Sequence, residues 1–241
     1  MKRNIVILSI ILIAITAIGI FYVFNTNRRT HINIDRQQYP ITGIDISAHN
    51  GEINFSQVAE SGIQFVYIKA TEGATFKDAR FQYNYKNARK AGLKVGVYHF
   101  FRFNIDGKSQ ALNIINSIKG KNLDLPIAID IEEYTNNKKI STDIIISRIS
   151  SLIKTLNDNK LPFILYTNKK GFRRFIKNYL KDYPLWICSF SNPPINSDWL
   201  IWQHSHKGSI KGISGDTDLN TFNGSTAEWE KWLNSFSLQL Q

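Results

Sequence analysis

Short apolar runs recur along this chain, each about the length of a buried strand, and the first five are mostly followed by segments of helical periodicity. The runs are Ile41-Thr-Gly-Ile-Asp-Ile-Ser47, Phe65-Val-Tyr-Ile-Lys-Ala70, Lys94 to Phe101, Pro126 to Glu132 and Pro162-Phe-Ile-Leu-Tyr166. Pro184-Leu-Trp-Ile-Cys188 is a sixth. Between them, Asn54 caps a short helix through Val58 to Glu60, closed by Gly62, and Arg80 to Ala91 forms a helix ending at Gly92. Ser109 to Ile118 follows. Ser141 caps a long helix through Leu156, with apolar residues at Ile145, Ile149, Leu152, Ile153 and Leu156. Gly171 to Leu180 is a basic helix.

Beyond the sixth run the alternation changes. Leu200 to His204 and Gly212 to Asp218 are expected as strands seven and eight, with no helix-length segment among the last three strands. A capping box, Ser225-Thr-Ala-Glu228, opens a final helix carrying Trp229, Trp232 and Leu233. Parallel strands need crossovers, and helices supply them, so the pattern predicts a single irregular (β/α) TIM-like barrel over residues 41–236, with eight strands and fewer helices. The 241 residues also allow two small domains, but 43% apolar content with 12% aromatics favours one large core over disorder. One cysteine, Cys188, excludes an internal disulfide and a cysteine-based zinc site.

In such barrels the chemistry sits at the C-terminal ends of the strands. The rule gathers Asp45 from strand one, Glu72 after strand two, His99 from strand three, and Asp130 and Glu132 from strand four. Tyr166, Trp186, Gln203 and Asp218 come from strands five to eight. Alternation along a strand puts Asp130 and Glu132 on one face and Ile131 and Glu133 on the other. Taken alone, residues 125–133 read either as a paired-acid site or as a strand that has reached solvent, its acids simply hydrated. Acids and aromatics converging on one mouth suit carbohydrate cleavage, because aromatic faces bind sugar rings and carboxylates move the proton. Each residue has a plainer reading as well. Asp218-Leu-Asn220 is turn chemistry by itself, and His99 between aromatics reads as a hydrogen-bonded core histidine.

The runs also carry a resemblance. Gly43-Ile-Asp-Ile-Ser-Ala-His-Asn-Gly51, Phe65 to Gly73, Ala91 to Arg102, Ile129-Asp-Ile-Glu-Glu133 and Leu165-Tyr-Thr-Asn168 resemble the motifs of glycoside hydrolase family 25, the Chalaropsis-type lysozymes. Leu185-Trp-Ile187, Ile201-Trp-Gln203 and Gly215 to Phe222 continue the match in the same order, over roughly residues 41 to 235. The resemblance implies an N-acetylmuramidase that cleaves the β-1,4 bond between N-acetylmuramic acid and N-acetylglucosamine. By that likeness Glu132 is the general acid, and Asp130, Asp45 and Asp218 are the other active-site acids. Tyr166, Trp186, His99, Gln203 and Glu72 are expected to contact substrate. Asp130 is expected to lift the pKa of Glu132 by repulsion and to assist the sugar's acetamido group, with net retention at the anomeric carbon. The family often has Tyr after Trp-Gln, where this chain has His204. No metal or cofactor is implied.

Two other classes compete. A non-catalytic peptidoglycan-binding or scaffold protein could keep the barrel, but it would have no need of Glu132. A chitin-type glycosidase carries a further acid two residues before the Asp, and here that position is Ala128.

The leading segment lies outside the barrel. Ile5 to Phe24 is an uncharged, mostly apolar run of 20 residues after Lys2 and Arg3, and as a helix it would be ~30 Å long, enough to cross a bilayer core. Ala14-Ile-Thr-Ala17 resembles a signal cleavage site but lies inside the run, so residues 1–26 read as an anchor in preference to a cleaved signal. Residues 27–40 then form a tether. The expected protein is a monomer, anchored through this helix with the barrel outside the cytoplasm, or secreted if the segment is removed. Its partner is the peptidoglycan glycan strand. The net charge of +11 suits an anionic envelope, whereas no nucleic-acid recognition motif accompanies it. Lys169, Lys170, Arg173, Arg174, Lys177 and Lys181 form the densest basic cluster.

Overall fold

A computed structural model describes residues 13–19, 32, 34–192 and 198–237. Two units are present, residues 1–33 and 34–241. In the first, residues 13–19 are helical and exposed, and most of the expected anchor lies outside the described residues. Among the described residues no helix is long and apolar enough to cross a membrane.

Among the described residues the second unit holds nine strands. They are β1 (Thr42–Ile46), β2 (Phe65–Glu72), β3 (Phe76–Lys77), β4 (Lys94–Phe100), β5 (Ile127–Asp130), β6 (Phe163–Asn168), β7 (Leu185–Cys188), β8 (Trp199–Gly208) and β9 (Thr217–Phe222). All but β3 close into an eight-stranded barrel in the order β1-β2-β4-β5-β6-β7-β8-β9, with β9 returning to β1. Neighbours from β1 to β8 pair in parallel, whereas β9 is antiparallel to both β8 and β1. The two-residue β3 pairs only with the end of β2.

The helices fall between the early strands. They are α1 (Phe55–Glu60), α2 (Phe81–Lys90), α3 (Gly107–Ile118), α4 (Thr142–Asp158), α5 and α6 (Thr226–Ser237). The fifth begins as a single α turn, Lys169–Gly171, and continues in π geometry over Phe172–Leu180. The caps are those the sequence announces: Asn54 Oδ1 accepts from Gln57 N, and Ser141 Oγ from Ile144 N. Ser225 and Glu228 exchange the reciprocal bonds of a capping box. The buried stripe of α4 is Ile145, Ile149, Leu152, Ile153 and Leu156, as its periodicity predicts.

Aromatic rings fill the barrel axis. Tyr67 lies 4.6 Å from Trp186 between ring centroids, and Trp186 lies 4.7 Å from Tyr166. At the end opposite the mouth, Phe65 and Phe222 pack against Trp229 of α6 at 5.2 and 5.1 Å. Each such ring contributes about 1.5–3 kcal/mol by leaving water, so the last helix is a plug for the barrel floor.

Several boundaries differ from the sequence expectation, among them β8, which runs to Gly208 rather than His204. Residues 212–216 are not a strand: Gly212 and Gly215 have φ of 92° and 87°, a left-handed backbone that turns the chain, and Ile213 makes only an isolated bridge to Ile53. The eighth barrel strand is Thr217–Phe222 instead. Residues 34–40, expected as tether, belong to the compact unit, which begins at Ile34, and the Tyr39 ring packs on Trp199 and Trp202 at 5.8 and 6.4 Å.

Candidate active site

The C-terminal ends of the parallel strands surround a cleft of about 880 Å³. Asp45, Glu72, Asp130, Glu132, Tyr166, Trp186, Gln203 and Asp218 all line it. Asp218 arrives by an unexpected route. It stands near the start of β9, and only because β9 runs antiparallel does that start lie at the mouth, directly across from Asp45. A parallel eighth strand would have carried the residue to the floor.

Asp45 is the most elaborately held of the four acids. Gln203 Nε2 and Asn220 Nδ2 both donate to its Oδ2, at 2.8 and 2.7 Å. Each amide is oriented from behind: Tyr166 Oη–H donates to Gln203 Oε1 at 2.8 Å, and Trp186 Nε1–H to Asn220 Oδ1 at 2.9 Å. Burial pushes the Asp45 carboxyl up to about 6, while these amides and a bond from Asp218 hold it back. Asp218 is pushed up to about 8, by burial first and then by the Asp45 charge beside it.

The opposite wall is barer. Asp130 is 7% exposed, and its Oδ1 has no hydrogen-bond partner among the described residues. Burial holds its pKa well above the ordinary carboxylate range, with Glu132 and Asp45 adding repulsion. Glu132 stands two residues past Asp130, beyond the end of β5, yet reaches the same cleft because Ile131 N still donates to Tyr166 O at 2.9 Å. Asn168 Nδ2 donates to Glu132 Oε1 at 2.6 Å. The Glu132 pKa is raised, chiefly by burial; the charge that adds to this is Asp45 rather than the expected Asp130. Glu133 points elsewhere and pairs with Arg174 at 2.7 Å.

The expected substrate contacts divide. Tyr166 and Gln203 reach the cleft but spend their polar atoms on the Asp45 network. Trp186 is only 1% exposed, so it is mainly floor. Glu72 is on the wall, bound by Lys69 at 2.7 Å and by the Arg102 guanidinium, which together pull its pKa down against burial. His99 is not at the mouth. It is fully buried, with Thr71 Oγ1 2.8 Å from Nδ1 and Gln110 Oε1 3.0 Å from Nε2. Burial depresses its pKa to about 4, so it is a neutral core residue. His204 is buried as well, its ring against Trp202.

Several cleft residues escaped the sequence reading. Tyr134 is 73% exposed, and Phe190 packs at a tilt of 48° against His206, 4.2 Å between centroids. These rim aromatics lie in loops or on outward-facing positions, where no periodic signal marks them. Lys69, Arg102 and Asn168 carry a signal, since Arg102 and Asn168 end recognisable motifs near strand termini and Lys69 lies inside one. A second hollow of about 600 Å³ lies between α1, α2 and the Gly212 turn, lined by Glu52, Tyr83, Asn87 and Lys90 and remote from the acid set.

A mostly parallel barrel whose mouth gathers one buried and three half-buried acids beside aromatic rings is suited to cleaving glycosidic bonds. Residues 44–213 match the model for glycosyl hydrolases family 25, and the chain belongs to that family. It is 39% identical to an autolytic lysozyme of Clostridium acetobutylicum over 75% of this chain, and spans 55% of that relative's length. It is 35% identical to Lysozyme M1 of Streptomyces globisporus over 78% of this chain and 69% of the relative. A family 25 glycosyl hydrolase structure from Bacillus anthracis superimposes with a TM-score of 0.76 at 32% identity, covering 84% of this chain and 97% of that one.

Proposed function

We propose that this chain is a muramidase that hydrolyses the β-1,4 bond between N-acetylmuramic acid and N-acetylglucosamine in peptidoglycan. Glu132 protonates the glycosidic oxygen as the bond to the anomeric carbon breaks. The sugar's acetamido oxygen attacks that carbon, giving a bicyclic oxazolinium ion, and Asp130 accepts the acetamide N–H and balances the charge. Glu132, now a carboxylate, takes a proton from water as the water adds to the same carbon. The ring reopens with retained configuration. Asp45 supplies the negative field under the cationic transition state, held ionised in part by the protonated Asp218 carboxyl that donates to it.

The observation that carries this reading is the buried Asp130 Oδ1, which lines the cleft and has no hydrogen-bond partner among the described residues. A buried acceptor of that kind calls for a donor from the ligand, and an acetamide N–H fits. Named lysozymes among the relatives support the substrate class. The barrel works outside the cytoplasm, tethered by residues 5–24, and a mature protein beginning near residue 25–30 would replace anchoring with secretion.

Digestion of purified peptidoglycan by the full chain, followed by borohydride reduction and analysis of the reduced ends, tests the activity. The expected outcome is new muramic-acid reducing ends. New glucosamine ends, or none, would overturn the assignment.

A further inference from the structure

Asn168 belongs to a motif that the proposed mechanism leaves without a task. It is the last residue of β6 and the N-cap of α5, with an extended backbone at φ −91° and ψ 178°. Its Oδ1 accepts from Lys170 N at 2.9 Å and from Gly171 N at 3.1 Å. Two backbone donors leave one way round for the amide, because an NH₂ group there would face N–H groups. The Nδ2 end is thereby turned to Glu132 Oε1, at 2.6 Å.

The neighbouring residues make the same approach. Ile131 N donates to Tyr166 O, and Thr167 Oγ1 donates to Ile131 O at 2.6 Å. Thr167 and Asn168 thus continue the β5–β6 ladder with side chains, gripping Ile131 and Glu132 in turn. The start of α5 is pressed into this junction: a Cβ on Gly171 would lie 2.0 Å from Thr167 Oγ1 and 3.0 Å from Ile131 O. From the far side, Asn136 Nδ2 donates to Glu132 O at 2.9 Å.

We propose that Asn168 is the positioning residue of the general acid: the cap of α5 locks its amide so that Glu132 Oε1 is always occupied by a donor, leaving Oε2 to carry the proton that is transferred. This rests on Glu132 acting as the acid, but the placement itself can be read without turnover. A donor on the carboxylate favours its ionised form and sets a ceiling on a pKa that burial lifts. The titratable groups acting with Glu132 are Asp45 of β1, Asp130 of β5, Tyr166 of β6, Cys188 of β7 and Asp218 of β9. None of them is a cation, so the amide is the one group among them that favours the Glu132 anion.

Two variants separate the donor from the cap. Asn168→Ser keeps a short oxygen for the helix N-terminus and removes the reach to Glu132. Asn168→Asp keeps the cap and puts an acceptor where the donor was. The Glu132 carboxyl is titrated by carbon-13 NMR in the full chain, its signal assigned by loss in Glu132→Gln. Its pKa should rise in Asn168→Ser and rise further in Asn168→Asp. On peptidoglycan, kcat at neutral pH should fall about tenfold or more while KM stays within about twofold, and the alkaline limb of kcat should move to higher pH. A Glu132 titration that stays at the wild-type position in both variants overturns the proposal and leaves Asn168 as a helix cap only. A shifted titration in a protein with no muramidase activity would uphold the placement while removing the proposed reaction.

Discussion

The two walls of the cleft hold the same kind of residue in opposite ways. On the β1–β9–β8 side, Asp45 has two amide donors, each oriented by an aromatic O–H or N–H, and a third bond from Asp218. On the β5 side, Asp130 has an unmet oxygen and Glu132 a single amide. Both walls are buried, so desolvation is the leading cause of every shift. What differs is the compensation. Asp45, at about 6, ionises before Asp218, at about 8, and Asp130 is held higher than the ordinary range with nothing to lower it but Lys69 at a distance. On one wall Asp45 is a prepared anion; on the other Glu132 and Asp130 hold their protons in the free protein, and a donor from the ligand favours the Asp130 anion.

Removing the proposed proton donor tests this division most severely. Glu132→Gln keeps an oxygen for Asn168 but has no acidic proton, so kcat should fall by about 10²–10⁴ while binding to insoluble wall is retained. Near-normal turnover would mean that the acid sits on the other wall. Asp130→Asn comes next. It keeps the shape and loses the charge that balances the oxazolinium ion in the proposed mechanism, and kcat should fall by about 10². Product configuration should stay retained in whatever activity remains, as read by proton NMR of the first-formed anomer. An inverted anomer in the wild type would remove the substrate-assisted route.

The barrel was legible in the sequence because parallel strands buried on both faces read as apolar runs, and the runs ending near Ser47 and Glu132 could be checked by the caps of the helices that follow, Asn54 and Ser141. Legibility failed where the chain stopped alternating. The stretch at Gly212 is apolar enough for a strand, but its glycines turn it, and the true strand, Thr217–Phe222, alternates polar residues because its interior side carries Asp218 and Asn220. The acids were found through strand ends and motif likeness. Their supports were not, since Asn220 and Asn168 reach their partners across the sheet rather than along the chain, and no local pattern predicts such a contact. His99 failed for the converse reason: its motif position points to the mouth, but the β2–β4 register shift between Lys69 and Thr71 brings the Thr71 hydroxyl onto its ring inside the core.

Asp218→Asn addresses stability rather than rate. A carboxyl whose folded pKa is raised binds more protons folded than unfolded between the two values, so its contribution to stability is present below about pH 4 and is lost as pH rises through about 8. Wild-type Tm should therefore decline across that window. The Asn variant cannot lose a proton and can donate to Asp45 unconditionally. It should be more stable than wild type at pH 8 by on the order of 2 kcal/mol, roughly 4–8 °C in Tm, and should show a flatter Tm against pH. Equal slopes for the two proteins would show that Asp218 ionises as freely folded as unfolded.

The smallest expected effect is the most specific to the comparison. Tyr166→Phe removes one hydroxyl that orients Gln203 from behind and touches no acid directly. Gln203 Oε1 is left without that donor inside the core, at a cost of about 1–2 kcal/mol of stability. The amide is then free to turn, so Asp45 loses part of one of its donors, and its pKa should rise by a fraction of a unit from about 6. The acidic limb of kcat/KM should move to higher pH by the same fraction, with the alkaline limb in place, because Glu132 takes its donor from Asn168 on the other wall. A pH profile of Tyr166→Phe in which both limbs moved together would mean that the two walls titrate as one cluster, and the division between a prepared anion and a proton store would be wrong.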